Sequence, residues 1–243
     1  MTDILSKIIA KKRNVIPSEI ILSDYVPRPF LNANAFQVIA EIKRGSPTLG
    51  LVAPDLSIEK TLQRYEALGV SAVSVLTEES YFFGSLSDLE LARATTELPL
   101  LRKDFMVDVR QVSESKYYGA DAILIIMAAF EDETIPRQLL LESKRLGLSV
   151  LTEVHNRAEC DRALSIGAEI IGVNNRDLHS FKTDIGVSLE LIKHIPRDVI
   201  KVTESGIKTA EDLWRLRDAG YNAALIGEAF LNVEGFDEVI ATF

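Results

Sequence analysis

One cysteine, Cys160, is all that 243 residues offer. An intrachain disulfide and a zinc site built on paired cysteines are thereby excluded. Histidine is nearly as scarce. His155, His179 and His194 show no HxH or HxxxH spacing, which argues against a histidine-built metal centre. A Cys–His nucleophile would have to use Cys160, which falls in a helical stretch and reads as an inert structural thiol. A lone thiol also fits a reducing cytoplasm. No block of like charge stands out, and the net charge is −9 from 27 basic and 36 acidic residues. A general nucleic-acid or membrane-surface binder would carry a basic stripe, so both are set aside. An anionic small molecule is not, because a site can be locally positive on an acidic protein. The longest charge-free apolar run, 122–130, is far short of the ~20 residues a spanning helix needs. The N-terminus lacks a signal-peptide pattern. Ile4, Leu5, Ile8 and Ile9 are spaced for one face of a short helix over 4–14, with charges between them. Pro17, Pro27 and Pro29 then mark an irregular extension.

These absences leave Lys, Glu, Asp, Asn, Ser and Arg to carry chemistry. Composition is that of an ordinary globular protein, 47% hydrophobic and 26% charged. The length suits one large α/β domain or two small ones.

From residue 37 a pattern starts and continues to the end. Eight apolar, β-rich segments recur at 37–42, 71–76, 98–101, 122–126, 149–154, 169–173, 199–203 and 223–226. Most are near-continuous in apolar character, as strands buried on both faces are. Helical periodicity fills the gaps at 57–68, 86–96, 109–118, 132–146, 158–166, 187–195, 210–219 and 236–242. Five of these helices end in a glycine that leads into the next strand, at positions 69, 119, 147, 167 and 220. Eight strand–helix units predict a (β/α)₈ barrel, a TIM barrel, over 37–243, with 1–36 as an N-terminal helical extension of a single domain. A doubly wound open sheet is the rival. A dinucleotide-binding version would show GxGxxG after its first strand, and this chain has KRGSPTLG there.

In such a barrel the active site lies at the C-terminal ends of the strands. Those ends carry Glu41 and Lys43; Thr77, Glu78 and Glu79; Arg102, Lys103 and Asp104; Met127; Glu153 and His155; Asn174, Asn175, Arg176 and Asp177; Thr203, Glu204 and Ser205; and Gly227 and Glu228. Side chains two apart on a strand share a face, so Glu41 pairs with Lys43 and Asn174 with Arg176. ESGI (204–207) and IGEA (226–229) put glycines after the last two strands, a frequent phosphate-binding position in barrels. The reading is a phosphorylated, carboxylated small molecule met by Lys43, Lys103 and Arg176, with Glu41 and Glu153 as acid or base. A lysine among other cations has a lowered pKa, and serves either as a general acid or as a Schiff-base amine.

The stretches VIAEIKRGSP, SVLTEESYFFGS, LPLLRKDFMVD, VLTEVHN, IIGVNNRDLHSF, VTESGI and ALIGEAFL occur one after another along the chain. Together they resemble the indole-3-glycerol-phosphate synthase family of tryptophan biosynthesis. The resemblance implies a lyase (a carboxy-lyase) of the cytoplasm that needs no cofactor. Its substrate is 1-(2-carboxyphenylamino)-1-deoxyribulose 5-phosphate, and its products are indole-3-glycerol phosphate, carbon dioxide and water. By motif, Lys103 resembles the acid that protonates the ketone. Lys43 would contact the substrate carboxylate, Glu41 would position Lys43, and Glu153 is the catalytic carboxylate. Asn174 and Arg176 would line the site. Ser46, Ser205, Gly206, Gly227 and Glu228 match phosphate-binding positions beside Glu204, and Phe82 matches an aromatic that packs on the substrate ring. The first loop departs from the family: Leu49 stands where a lysine is usual and Gly45 where alanine is common. The expected state is a monomer or weak homo-oligomer. The competing readings are another phosphosugar barrel, such as an isomerase or Schiff-base aldolase, and a non-catalytic barrel subunit of a pathway complex.

Overall fold

The computed structural model describes residues 4–177, 180–232 and 236–240. Eight parallel strands close into a barrel: β1 (Gln37–Ile42), β2 (Ala72–Leu76), β3 (Leu100–Lys103), β4 (Ala122–Ile126), β5 (Ser149–Val154), β6 (Ile170–Asn174), β7 (Ile200–Glu204) and β8 (Ala223–Ile226). Each strand pairs with its sequence neighbours, and β1 closes the ring on β8, with Val38 opposite Ala224. The strands read as unbroken apolar runs because both faces are buried. In β1, Ile39 joins an inner cluster with Leu101, Leu124, Leu151 and Val202. Val38, Ala40 and Ile42 join an outer one with Leu62, Leu89 and Leu139 of the surrounding helices. Each fully buried Leu or Ile contributes roughly 1.5–3 kcal/mol, so strand register is fixed by both faces at once.

The helices are α1 (Ile4–Lys12), α2 (Ile58–Ala67), α3 (Leu86–Thr95), α4 (Arg110–Tyr117), α5 (Thr134–Leu146), α6 (Arg157–Ser165), α7 (Gly186–Leu191), α8 (Ala210–Ala219), α9 (Glu228–Asn232) and α10 (Phe236–Ile240). A capping box between Thr209 and Asp212 starts α8. Gly147 and Gly220 end α5 and α8 with φ of 80° and 108°, the left-handed cap a side chain resists. Gly69, Gly119 and Gly167 also have positive φ.

Strands β1, β4, β5 and β8 match the sequence reading. The third strand, expected at 98–101, begins instead at Leu100. Pro99 has no N–H to give a ladder, and the Leu100 N–H is taken by Asp121 Oδ2 at 2.7 Å. The strand then runs on through Arg102, paired outside the barrel with Glu114 and Asp104, and Lys103, whose charge finds partners across the barrel. Likewise β6 and β7 extend by one polar residue, to Asn174 and Glu204. No pattern in the sequence marks α9, nor a small hairpin pairing Gly45–Ser46 with Gly50–Leu51. The expected last helix reaches Ile240, and its final residues lie outside the described ones.

The N-terminal extension runs from one end of the barrel to the other. At the top, Leu5, Ile8 and Ile9 of α1 are buried and Lys12 reaches Asp104 at 2.6 Å. At the bottom, Asp121 accepts from the Arg28 N–H at 2.6 Å and the Tyr25 hydroxyl at 2.5 Å. Phe30 then enters the inner cluster beside residues that open the strands, such as Ala72, Ala122 and Ala223. Among the described residues, no helix is long and apolar enough to cross a membrane.

Candidate active site

Inward-facing positions at the strand ends converge on Lys103. It follows Leu101 on the inner face of β3, so its ammonium points into the barrel mouth. Its Nζ lies 3.1 Å from Glu204 Oε2 on β7 and 3.5 Å from Glu153 Oε2 on β5. Asn174 Nδ2 donates to Glu153 Oε1 at 3.1 Å, and Asn174 Oδ1 accepts the Arg176 N–H at 3.0 Å. On the other wall, Lys43 Nζ sits 2.9 Å from Glu41 Oε1 and 3.9 Å from Glu228 Oε1. Arg176 meets the same Glu228 oxygen at 2.8 Å. The site is thus a lattice of alternating charges, each assembled from strands far apart in sequence.

Burial opposes charge on Lys103, but Glu204, Glu153 and Glu41 outweigh it and its pKa is raised. Burial likewise works against ionisation of Glu153, yet Lys103 and His155 hold its pKa well below the usual carboxylate range. In Glu41, burial is overcome by Lys43 and Lys103, and the pKa is lowered. In Glu204 burial wins and, with Glu153 and Glu41 nearby, the pKa is raised. Two carboxylates flank one ammonium, and their acidities are driven apart.

Two adjoining cavities meet at this cluster and share Glu41, Lys43, Lys103, Arg176, Ser205 and Glu228. One, of about 140 Å³, has apolar walls from Ile8, Leu76, Phe82, Phe105 and Leu124. The other, of about 310 Å³, is lined by Gly206, Gly227, Thr183 and Lys208. Backbone shape opens the second. Ser205 and Gly206 both have positive φ, 65° and 76°. Asn175 holds that turn by donating to the carbonyls of Glu204 and Ser205, both at 3.1 Å. A Cβ on Gly227 would lie 2.6 Å from Glu41 Oε1, so only glycine leaves the β8 end open there.

The structure brings Glu41, Lys43, Lys103, Glu153, Asn174, Arg176, Glu204, Ser205, Gly206, Gly227 and Glu228 together. Phe82 joins them on the apolar side, its ring 6.2 Å from that of Phe105. Ser46 lies on the apolar cavity, apart from the glycines, and its Oγ is engaged with Thr48 and the Leu49 N–H. The expectation of a lowered lysine pKa is corrected: the nearest neighbours of Lys103 are carboxylates, not cations, so its pKa rises. Arg102 points away from the mouth, into a buried cluster with Thr77, Glu114 and Asp104, while Asp104 borders the apolar cavity but is engaged by Arg102, Thr77 and Lys12. Glu78 is spent on its own loop, accepting the N–H groups of Ser80, Tyr81 and Phe82. Leu49 is exposed and lines neither cavity. Gly45 has a packing reason: a Cβ there would sit 2.6 Å from the Phe83 ring. His179, within the NNRDLHSF stretch, lies outside the described residues.

Sequence reasoning missed Lys208, Phe105 and the α1 residues Ile4, Leu5 and Ile8 as cavity lining. The 3.6-residue apolar spacing of α1 marked a buried face but not what it faces.

The indole-3-glycerol phosphate synthase family model matches residues 5–243. A relative of that name from Chloroherpeton thalassium is 48% identical over 198 residues, 82% of this chain and 76% of that protein. Another, from Polaromonas naphthalenivorans, is 40% identical over 252 aligned positions, covering 96% of this chain and 95% of that protein. Among solved structures, the N-acetylmannosamine-6-phosphate 2-epimerase of Clostridium perfringens superposes with a TM-score of 0.62 at 14% identity. That match covers 79% of this chain and 86% of the epimerase, a likeness of fold alone.

Proposed function

The chain belongs to the indole-3-glycerol phosphate synthase family, and we propose that it closes the indole ring of 1-(2-carboxyphenylamino)-1-deoxyribulose 5-phosphate. The observation that carries this is Lys103, an ammonium held between Glu153 and Glu204 where an apolar cavity meets a glycine-lined one. Such a substrate has the same two halves, an aromatic ring with its carboxylate and a sugar chain ending in phosphate.

The aromatic carbon bearing the carboxylate attacks the ketone carbon, and the carbonyl oxygen takes a proton from Lys103. A lysine with a raised pKa is reliably protonated, and its fixed charge stabilises the developing alkoxide. Lys43, positioned by Glu41, holds the substrate carboxylate until it leaves as carbon dioxide and the ring regains aromaticity. The new hydroxyl departs as water, protonated by Lys43 once the carboxylate it held has gone and pushed by the ring nitrogen. Glu153, kept anionic and oriented by Asn174, stabilises the resulting cation and removes the adjacent carbon-bound proton. Placed acid–base groups of this kind contribute about 10²–10⁴-fold. At the phosphate end, Ser205, Gly206 and Gly227 offer close backbone approach, while Glu228 orients Arg176 and Lys43. Lys43, Lys103 and Arg176 are each matched to a carboxylate. Lys208 has no carboxylate partner among the described residues, and it supplies the uncompensated charge facing the phosphate. Phe82 packs on the aromatic ring. Ser46 shapes the first loop beside it.

The protein works in the cytoplasm as a monomer or weak homo-oligomer, independently of nucleic acid. Residues 37–243 form its catalytic barrel, and 1–36 an extension that completes the apolar pocket. A single buried thiol supports the location, and the spread of acidic charge supports the independence from nucleic acid. The test is to add the carboxyphenylamino substrate and follow indole fluorescence with released carbon dioxide. One carbon dioxide per indole is expected. No product from folded protein refutes the assignment, and a borohydride-reduced adduct on Lys103 refutes acid catalysis in favour of a Schiff base.

A further inference from the structure

Behind Glu153 lies a partly buried ion pair that the scheme above does not use. His155 follows β5, two residues after Glu153 and on the same side of the chain. Its Nε2 is 3.2 Å from Glu153 Oε1, and its Nδ1 is 3.0 Å from Glu159 Oε2. An ionised carboxylate only accepts, so both ring nitrogens face acceptors. Nδ1 is in hydrogen-bond geometry with Glu159, whereas Nε2 meets Glu153 as an ion-pair contact outside hydrogen-bond geometry; only a proton on each nitrogen makes both contacts attractive.

Glu159 is itself pinned. It sits in the first turn of α6, capped by Asn156, whose Oδ1 accepts the Glu159 N–H at 3.0 Å. Its carboxylate takes the His155 N–H at 2.8 Å and Asn156 Nδ2 at 2.6 Å. The imidazole is therefore held from a rigid helix start. On its far side, Glu153 Oε1 faces both His155 and Asn174, which leaves Oε2 turned to Lys103.

We infer that His155, kept as an imidazolium between Glu159 and Glu153, is a positioning residue of the reaction that fixes the direction and the charge of the Glu153 carboxylate. This rests on the proposed role of Glu153. The groups around the pair are Glu153 on β5, Glu159 on α6, Asn174 on β6, Lys103 on β3, Glu204 on β7 and Glu41 on β1. Three carboxylates crowd Lys103, and the substrate brings two more anionic groups. Without the imidazolium, Glu153 has no cation but Lys103. It would close onto that ammonium and engage the acid the reaction needs. Burial alone would strip the imidazole of its proton, but Glu153 and Glu159 together push its pKa up to about 10.

The experiment compares wild type, His155→Gln and Glu159→Gln in the indole assay, with the charge state of His155 read by ¹⁵N NMR. Only three histidines are present, so His155→Gln assigns the signal. Both ring nitrogens of wild type are expected to be protonated at pH 7.5. Both variants should lose about 10–100-fold in kcat, the scale of a misplaced catalytic group. In both, the acid limb of the kcat–pH profile should move to higher pH, which a merely structural role would not produce. A neutral imidazole overturns the inference, as does an unchanged kcat and pH profile in an otherwise active enzyme. If His155→Gln does not fold, Glu159→Gln, which keeps the imidazole, decides on the same readouts. Absence of product in wild type would instead overturn the proposed function, and the NMR charge state still tests the imidazolium.

Discussion

Gly172 sits inside the barrel, between Ile170 and Asn174 on the inward face of β6. An alanine there would place its Cβ 2.1 Å from Glu204 Oε1 and 3.1 Å from Leu151 Cδ1. Ordinary contact begins near 3.4 Å, so the carboxylate must retreat by roughly 1.3 Å (3.4 minus 2.1). Among the described residues, Glu204 Oε1 has no hydrogen-bond partner to resist this. Its other oxygen does: Oε2 holds Lys103 at 3.1 Å. A retreat of that size breaks the contact and releases the ammonium from one of its two anchors. Gly172→Ala is therefore expected to lower kcat by about 10–100-fold, the scale of a 1 Å misplacement. Overpacking should cost about 1–3 kcal/mol in urea unfolding. The assay is steady-state indole formation beside a denaturant titration. Adding Glu204→Ala removes the worse of the two contacts, so the double variant should recover most of the lost stability but not the lost rate. A Gly172→Ala enzyme that is folded and turns over within about twofold of wild type would refute the reasoning, because positioning at this precision would then not matter.

At the other end of the barrel, Asp121→Ala strands the Leu100 and Arg28 N–H groups and unpairs Arg93. Breaking such a buried pair costs about 3–5 kcal/mol, so the urea midpoint should fall sharply and 15–28 should become open to protease; an unchanged midpoint contradicts this. Lys208→Ala should raise KM several-fold, on the order of the 1 kcal/mol of one exposed charge contact, while kcat holds. Lys208→Arg should restore KM, and equal KM in all three removes Lys208 from the phosphate end. His155 also predicts alkaline sensitivity. Its folded pKa of about 10 lies above the ordinary 6.5, so its stabilisation is complete below pH 6.5 and is lost as pH rises through 10. Stability should fall by about 1.4 kcal/mol per pH unit across that window, and His155→Gln should flatten the slope; parallel curves would sink the claim.

The barrel was legible because its signals are local. Unbroken apolar strands report burial on both faces, and the glycines at 147 and 220 report helix ends by backbone geometry alone. Membership of the site was legible for the same reason: Glu41, Lys43, Lys103 and Glu153 lie at strand ends that the fold gathers. Electrostatics was not. Whether a lysine is surrounded by cations or carboxylates depends on β3, β5 and β7 meeting across the mouth, as Lys103 and Glu204 do from 101 residues apart. Gly172 read as one more residue of an apolar strand, because the carboxylate that needs its space comes from β7. Lys208 lies beyond the strand-end window that the barrel rule inspects. The apolar face of α1 was visible, but a helix pattern does not say whether it covers a core or a pocket. Ser46 matched a motif position, yet the hairpin at Gly45–Ser46 turns it to the apolar cavity.

The central claim is that Lys103 delivers the proton that makes ring closure possible. Its most direct test is single-turnover indole formation by wild type and Lys103→Ala, with substrate binding measured in both. Wild type should produce the indole signal. The variant should bind substrate, keep the fold, and lose turnover by at least about 10²–10⁴-fold, the contribution of a placed acid. A folded Lys103→Ala enzyme with kcat near wild type would contradict the account.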